Sequence, residues 1–181
     1  MSRLILVKHA MPQIDPAIPA KTWRLSAEGW GAASRLAHKL AGLGPGRVVA
    51  SPEPKAEDTG RVIAEAINWP FAVEPDFAEH ARENVGFLPK DELDTRIARL
   101  FAEPDVLAYG EETGRQALDR FASAIERHRG ADTLLAAAHG TVITLWTCAR
   151  FPQDAMALWR ALSLPSALVF EGDAPPRLVT V

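Results

Sequence analysis

Polar side chains of one chemical theme recur along the chain, at or shortly after short apolar runs. Lys8 and His9 follow Leu4-Ile5-Leu6-Val7. Ser51, with Lys55 one helical turn on, follows Val48-Val49-Ala50. Glu79 comes shortly after Phe71-Ala72-Val73, and His139 ends Leu134-Leu135-Ala136-Ala137-Ala138. Two imidazoles, two ammonium groups and a carboxylate suit phosphoryl transfer. A phosphate monoester is a dianion near neutral pH and needs several donors. A neutral imidazole is a good nucleophile, and a covalent intermediate splits one hard displacement into two easier ones. On this reading His9 attacks phosphorus, and Lys8 and Lys55 support the phosphate while disfavouring a second positive charge on His9. Glu79 protonates the leaving oxygen and later takes a proton from water. Glu74 and Glu83 lie close enough in sequence to compete for that role.

These residues share a cleft only if the strands before them are parallel and open at one edge, where open α/β sheets bind ligands. The intervening patterns agree. Ser26 with Glu28 opens a helix carrying Trp30, Ala33, Leu36 and Leu40, and Gly42 to Gly46 ends it. Ser51 or Glu53 starts a second helix with Pro54 in its first turn and an apolar stripe through Val62, Ile63 and Ile67. Pro89 and Pro104 bracket a third helix, and Thr113 with Gln116 has the form of a capping box for a fourth. A helix follows His139, and another is expected over Ala155–Leu162. Ala167–Phe170 and Leu178–Val181 read as strands of an edge hairpin. The expected fold is a single α/β domain over residues 1–181, a doubly wound, mostly parallel sheet with helices on both faces. The less regular stretch of about 77–112 is expected to form a lid or wall over the site. His38, His80 and His128 lack metal-ligand spacing and read as surface or helix-end residues.

The bulk numbers narrow the partners. The chain has 181 residues, 48% of them hydrophobic and 24% charged, with net charge −3 and no basic block. That gives no reason to expect nucleic acid or an anionic membrane as a partner. The lone cysteine, Cys148, provides neither an internal disulfide nor a metal site. The apolar run before Lys8 is too short for a signal segment or a membrane span, so the cytoplasm is the expected compartment. The expected partner is a small phosphorylated molecule; oligomeric state is not legible.

The ordered set of motifs resembles the histidine phosphatase superfamily, which includes the phosphoglycerate mutases. Lys8-His9-Ala10 resembles the family's Arg-His-Gly or Arg-His-Ala, and Leu25-Ser26-Ala27-Glu28-Gly29 its Leu-Thr-x-x-Gly. The segment Ala50 to Thr59 resembles Ser-Ser-Pro-x-x-Arg-Ala-x-x-Thr. Phe77-Ala78-Glu79, Gly110-Glu111-Glu112-Thr113 and Ala138-His139-Gly140 resemble Leu-x-Glu, Gly-Glu-Ser and Ser-His-Gly. The resemblance runs in order from Leu4 to Leu145. It implies a phosphoglycerate mutase-like fold, His9 as the phosphorylated nucleophile, Glu79 as general acid, and Lys8, Lys55 and His139 as phosphate ligands. Ser51 would line the same pocket, and Asp15 stands where many members carry an Asn near the phosphate. No metal or organic cofactor is implied, and a compact phosphatase fits the chain better than a mutase.

Both motif arginines are lysine here. Charge is kept, but the planar two-oxygen grip of a guanidinium is lost. Each hydrogen bond to a charged group is worth roughly 1.5–3 kcal/mol before compensation. Two other outcomes therefore stand beside a phosphatase: a catalytically weak or inactive phosphate-binding or regulatory domain, and a phosphomutase.

Overall fold

The computed structural model describes residues 3–181. Six strands form one sheet: β1 (Arg3–Lys8), β2 (Gly46–Ala50), β3 (Phe71–Val73), β4 (Thr133–Ala138), β5 (Ser166–Glu171) and β6 (Arg177–Thr180). Six α-helices join them: α1 (Ala27–Leu40), α2 (Pro54–Ile67), α3 (Lys90–Ala102), α4 (Gly114–His128), α5 (Gly140–Arg150) and α6 (Ala155–Ala161). The spatial order is β3-β2-β4-β1-β5-β6. β1 to β4 are mutually parallel, and β5 and β6 add an antiparallel pair. The mostly parallel, doubly wound α/β fold expected from the sequence is thus the observed one.

Alternation along the strands makes the two layers. Leu4, Leu6, Val49, Leu134 and Ala136 face α3 to α6, where Phe77, Phe121, Ile125 and Val142 complete one core. Ile5, Val7, Val48, Leu135 and Val169 face α1 and α2, against Leu36, Leu40 and Ile63. Strands buried on both faces read as unbroken apolar runs, which is why β1 and β4 show no polar alternation.

Register then aligns the strand ends. Lys8 lies beside Ala138, and Ala50 beside Ala137. The ladder continues one bond past each strand: His9 N–H donates to Ala138 O (3.0 Å), Ser51 N–H to Ala137 O (2.9 Å) and Glu74 N–H to Ala50 O (2.8 Å). His9, Ser51 and His139 therefore leave the sheet side by side on fixed backbone.

The caps follow local rules. Ser26 Oγ accepts from Gly29 N–H, and the Thr113–Gln116 capping box is complete. A Cβ on Gly29 would stand 2.2 Å from Met11 O, so only glycine lets the start of α1 close onto the loop after His9. Glu53 precedes α2 without capping it. Among the described residues no helix is long and apolar enough to cross a membrane.

Candidate active site

His9 is 9% exposed at the end of β1. Its Nδ1 lies 2.8 Å from its neighbour's carbonyl, Ala10 O. A carbonyl only accepts, so Nδ1 carries the proton and Nε2 keeps a free lone pair. Ala10 is fixed in turn, its N–H donating to Thr59 Oγ1 (2.9 Å) on α2. The ring meets His139 edge-on, centroids 5.2 Å apart. Burial holds the His9 pKa well below the usual histidine value, and His139, Lys55 and Lys8 push it the same way. The imidazole is neutral at pH 7.

His139, fully buried, joins β4 to α5. Its Nε2 is 2.9 Å from Ser51 Oγ and 3.5 Å from Glu53 Oε1. Its buried Nδ1 has no partner among the described residues. Burial, then Lys55, lower its pKa well below the ordinary value, and Glu79 opposes them.

The two lysines meet different surroundings. Lys8 Nζ donates to Leu162 O (2.7 Å) and lies 5.9 Å from the centre of the Trp159 ring. Burial lowers its pKa to about 8, with Glu79 pulling the other way. Lys55, 6% exposed, holds Glu53 Oε2 at 2.5 Å and Ala20 O at 2.8 Å.

Glu79 lies on the loop after β3. Its Oε1 accepts from His80 N–H (2.8 Å), and its Oε2 from Thr141 N–H (3.3 Å) in the first turn of α5. Burial raises its pKa, but His139, the Arg82 guanidinium and the His80 N–H outweigh burial and leave it below the usual value. The loop is gripped from behind. Arg120 on α4 donates to the carbonyls of Asp76, Ala78 and Glu79 and pairs with Glu112. Of the two competing carboxylates, Glu74 pairs with His128 and Arg127 and does not line the cavity, while Glu83 lines it and pairs with Lys21. Lys8, His9, Lys55, Glu79 and His139 all line one cavity of about 920 Å³.

This cluster can be set beside known proteins. A family model described as histidine phosphatase superfamily, branch 1, matches residues 4–171. The chain belongs to the histidine phosphatase superfamily. No curated protein matches it. Among solved structures it is similar to mycobacterial glucosyl-3-phosphoglycerate phosphatase, at 20% identity and TM-score 0.74 over 99% of this chain and 97% of that one. It is also similar to Bacillus stearothermophilus YhfR, at 18% identity and TM-score 0.72 over 99% and 96% of the chains. A phosphoserine phosphatase from Entamoeba histolytica, solved with phosphoserine, aligns at 13% identity and TM-score 0.70 over 99% and 96%. At such identities these neighbours speak for the fold.

Within this superfamily member, not every expected site residue reaches the cavity. Asp15 is exposed and does not line it; its Oδ1 accepts from Ala17 N–H (2.9 Å) and shapes the proline-rich loop. Ser51 is fully buried behind His139; its Oγ, bonded to His139 Nε2, accepts from Glu53 N–H (3.2 Å). His80 is not at the surface. It is 2% exposed, bonded through Nε2 to Glu112 O (2.7 Å) and packed on Tyr109 at 4.9 Å. His128 pairs with Glu74, while His38 is exposed as expected.

Two side chains that the sequence reading did not assign to the site belong to it. Glu53 bonds Lys55 and accepts from Glu79 N–H (2.8 Å), so its carboxylate joins the β2 end to the Glu79 loop. Arg82 lines the cavity and donates to Tyr109 Oη (3.3 Å). An Arg three residues beyond the acid was the only signal for it. Among the described residues no three His, Cys, Asp or Glu side chains are grouped to hold a metal ion.

Proposed function

We propose that the protein is a phosphatase that hydrolyses a small phosphate monoester through a phosphohistidine on His9. The observation that carries this reading is the hydrogen bond from His9 Nδ1 to Ala10 O, which reserves Nε2 as a lone pair on a neutral ring lining the cavity. In the first step Nε2 attacks phosphorus, the P–O ester bond breaks, and the leaving oxygen takes a proton from Glu79. In the second, water gives a proton to Glu79 as its oxygen attacks, and the P–N bond breaks to release phosphate and free His9.

Glu79 is ionised in the empty site and must gain a proton first. A bound dianion beside the carboxylate raises its pKa and supplies that condition. Lys8, Lys55, Arg82 and the unpartnered Nδ1 of His139 are the donors available to the phosphoryl oxygens. The cavity-lining residues of 77–112, Ala78 to Glu83, Gly86, Phe87 and Leu93, form part of the wall around the rest of the substrate. A cytoplasmic location belongs to the same proposal, supported by the lone thiol of Cys148.

The test is intact mass after incubation with a phosphodonor. The wild type is expected to gain a phosphate-sized adduct that His9→Ala does not. An equal adduct on the variant would refute His9 as the nucleophile. One observation favours a second reading, phosphate binding without turnover: both ammonium groups already have protein partners, and Lys55 has an anionic one. Phosphate binding with neither adduct nor turnover would establish it.

A further inference from the structure

We infer that the substrate's organic part is apolar and about the size of one aromatic ring, so that the site takes phosphate esters of hydrophobic alcohols over those of polyols and sugars. The inference rests on the phosphatase reading for its phosphate end. The cavity changes character along its length. Its floor gathers the histidines, lysines and Glu79, and its entrance is apolar. Ile14, Ile18 and Phe87 line that entrance at 56%, 45% and 54% exposure, and Trp23 stands 6.5 Å from Phe87 across it. Large side chains left this open beside a charged floor mark a surface that binds something.

The polar groups of the entrance are spent on one another. Trp23 Nε1 donates to Asp15 O (3.0 Å) and Thr22 Oγ1 to Pro19 O (2.7 Å). Lys21 pairs with Glu83. A polyol entering here would give up water and find few partners, which is costly for each hydroxyl. An apolar group loses nothing of that kind and gains from leaving water. The charge arrangement requires the anion at the floor, so the apolar part must occupy the entrance. Pro12, Pro16 and Pro19 stiffen the loop that carries Ile14 and Ile18, so the surface is largely formed before binding.

The experiment compares 2-phenylethyl phosphate with glycerol 1-phosphate. Both are dianionic alkyl esters, so differences of charge and leaving group are small. Binding is measured by calorimetry on His9→Ala, and turnover on the wild type. Affinity for the phenylethyl ester is expected to be about 10- to 100-fold higher, as burial of one ring suggests. Ile18→Ser with Phe87→Ser, at exposed positions that leave the core untouched, should reduce that ratio at least fivefold. Equal affinities, a preference for glycerol 1-phosphate, or a ratio unmoved by the two serines would overturn the inference, even with both esters hydrolysed. Preferential binding with hydrolysis of neither would uphold the inferred ligand class and count instead against the phosphatase reading.

Discussion

The ends of β1 and β2 each bring a lysine to the same cavity, yet they hold it in opposite ways. At the β1 end, Lys8 is half-buried with its ammonium on a carbonyl and near an aromatic ring, and burial lowers its pKa to about 8. At the β2 end, Lys55 is more deeply buried and tied to the carboxylate of Glu53. One site has a charge that is weakly retained; at the other the ammonium is already partnered by a carboxylate. The strand ends differ in their other residue too. His9 keeps a free nitrogen, whereas Ser51 spends its hydroxyl on His139. Equivalent positions in a parallel sheet supply the place, and the neighbours decide what each side chain does there.

Substitutions that exchange these characters should give effects of graded size. His9→Ala is expected to cost at least about 10³-fold in kcat, on the scale of losing a nucleophile, measured with an aryl phosphate. A loss under tenfold would remove the distinction between the two strand ends.

Lys8 should govern the alkaline limb. With a pKa of about 8, it loses its charge as pH rises past that value, so kcat/KM for the free enzyme should fall there. Lys8→Arg should move the limb upward by a unit or more, and Lys8→Met should cost about tenfold or more at pH 7. Stability responds with the opposite sign. The unfolded lysine binds protons more tightly than the folded one, so unfolding takes up protons between about pH 8 and 10.5, and this group's contribution becomes more favourable across that window. Denaturant titrations should therefore show Lys8→Met gaining stability over wild type at pH 7 and losing that gain by pH 10.

Ser51→Ala removes one buried hydrogen bond to His139 and should lower kcat/KM by about tenfold, with the fold intact by circular dichroism. Glu53→Gln keeps an oxygen for Glu79 N–H but frees Lys55. Inhibition by inorganic phosphate should then tighten about three- to tenfold as the two lysines become alike. Unchanged or weaker inhibition would mean that Glu53 does not neutralise Lys55. Asp15→Ala, outside the cavity, should stay within about twofold of wild type.

Much of this was readable because it is local. The apolar runs of β1 and β4, the Ser26 cap and the Thr113–Gln116 box are written in adjacent residues. The edge hairpin was readable too, with β6 ending at Thr180 rather than Val181. Sheet order was not, since nothing in β4 says that it enters between β2 and β1. The misreadings concern residues whose roles are set by distant partners. His80 is buried because Glu112 and Tyr109, some thirty residues on, close over it. In the sequence Glu53 reads only as a helix start, and its contacts with Lys55, Glu79 and His139 exist only after β2, β4 and the Glu79 loop assemble. Asp15 differs in that its partner is local: it matches a motif position, but Ala17 N–H engages its carboxylate outside the cavity.

Arg120 carries a consequence for how this molecule can change. It grips the acid's loop by the carbonyls of Asp76, Ala78 and Glu79, and every amino acid supplies a carbonyl. The outward side chains of that loop are thereby excused from holding the acid in place. The stretch is a natural place for laboratory evolution to graft new residues, because libraries there can reshape what the protein accepts while Glu79 stays anchored.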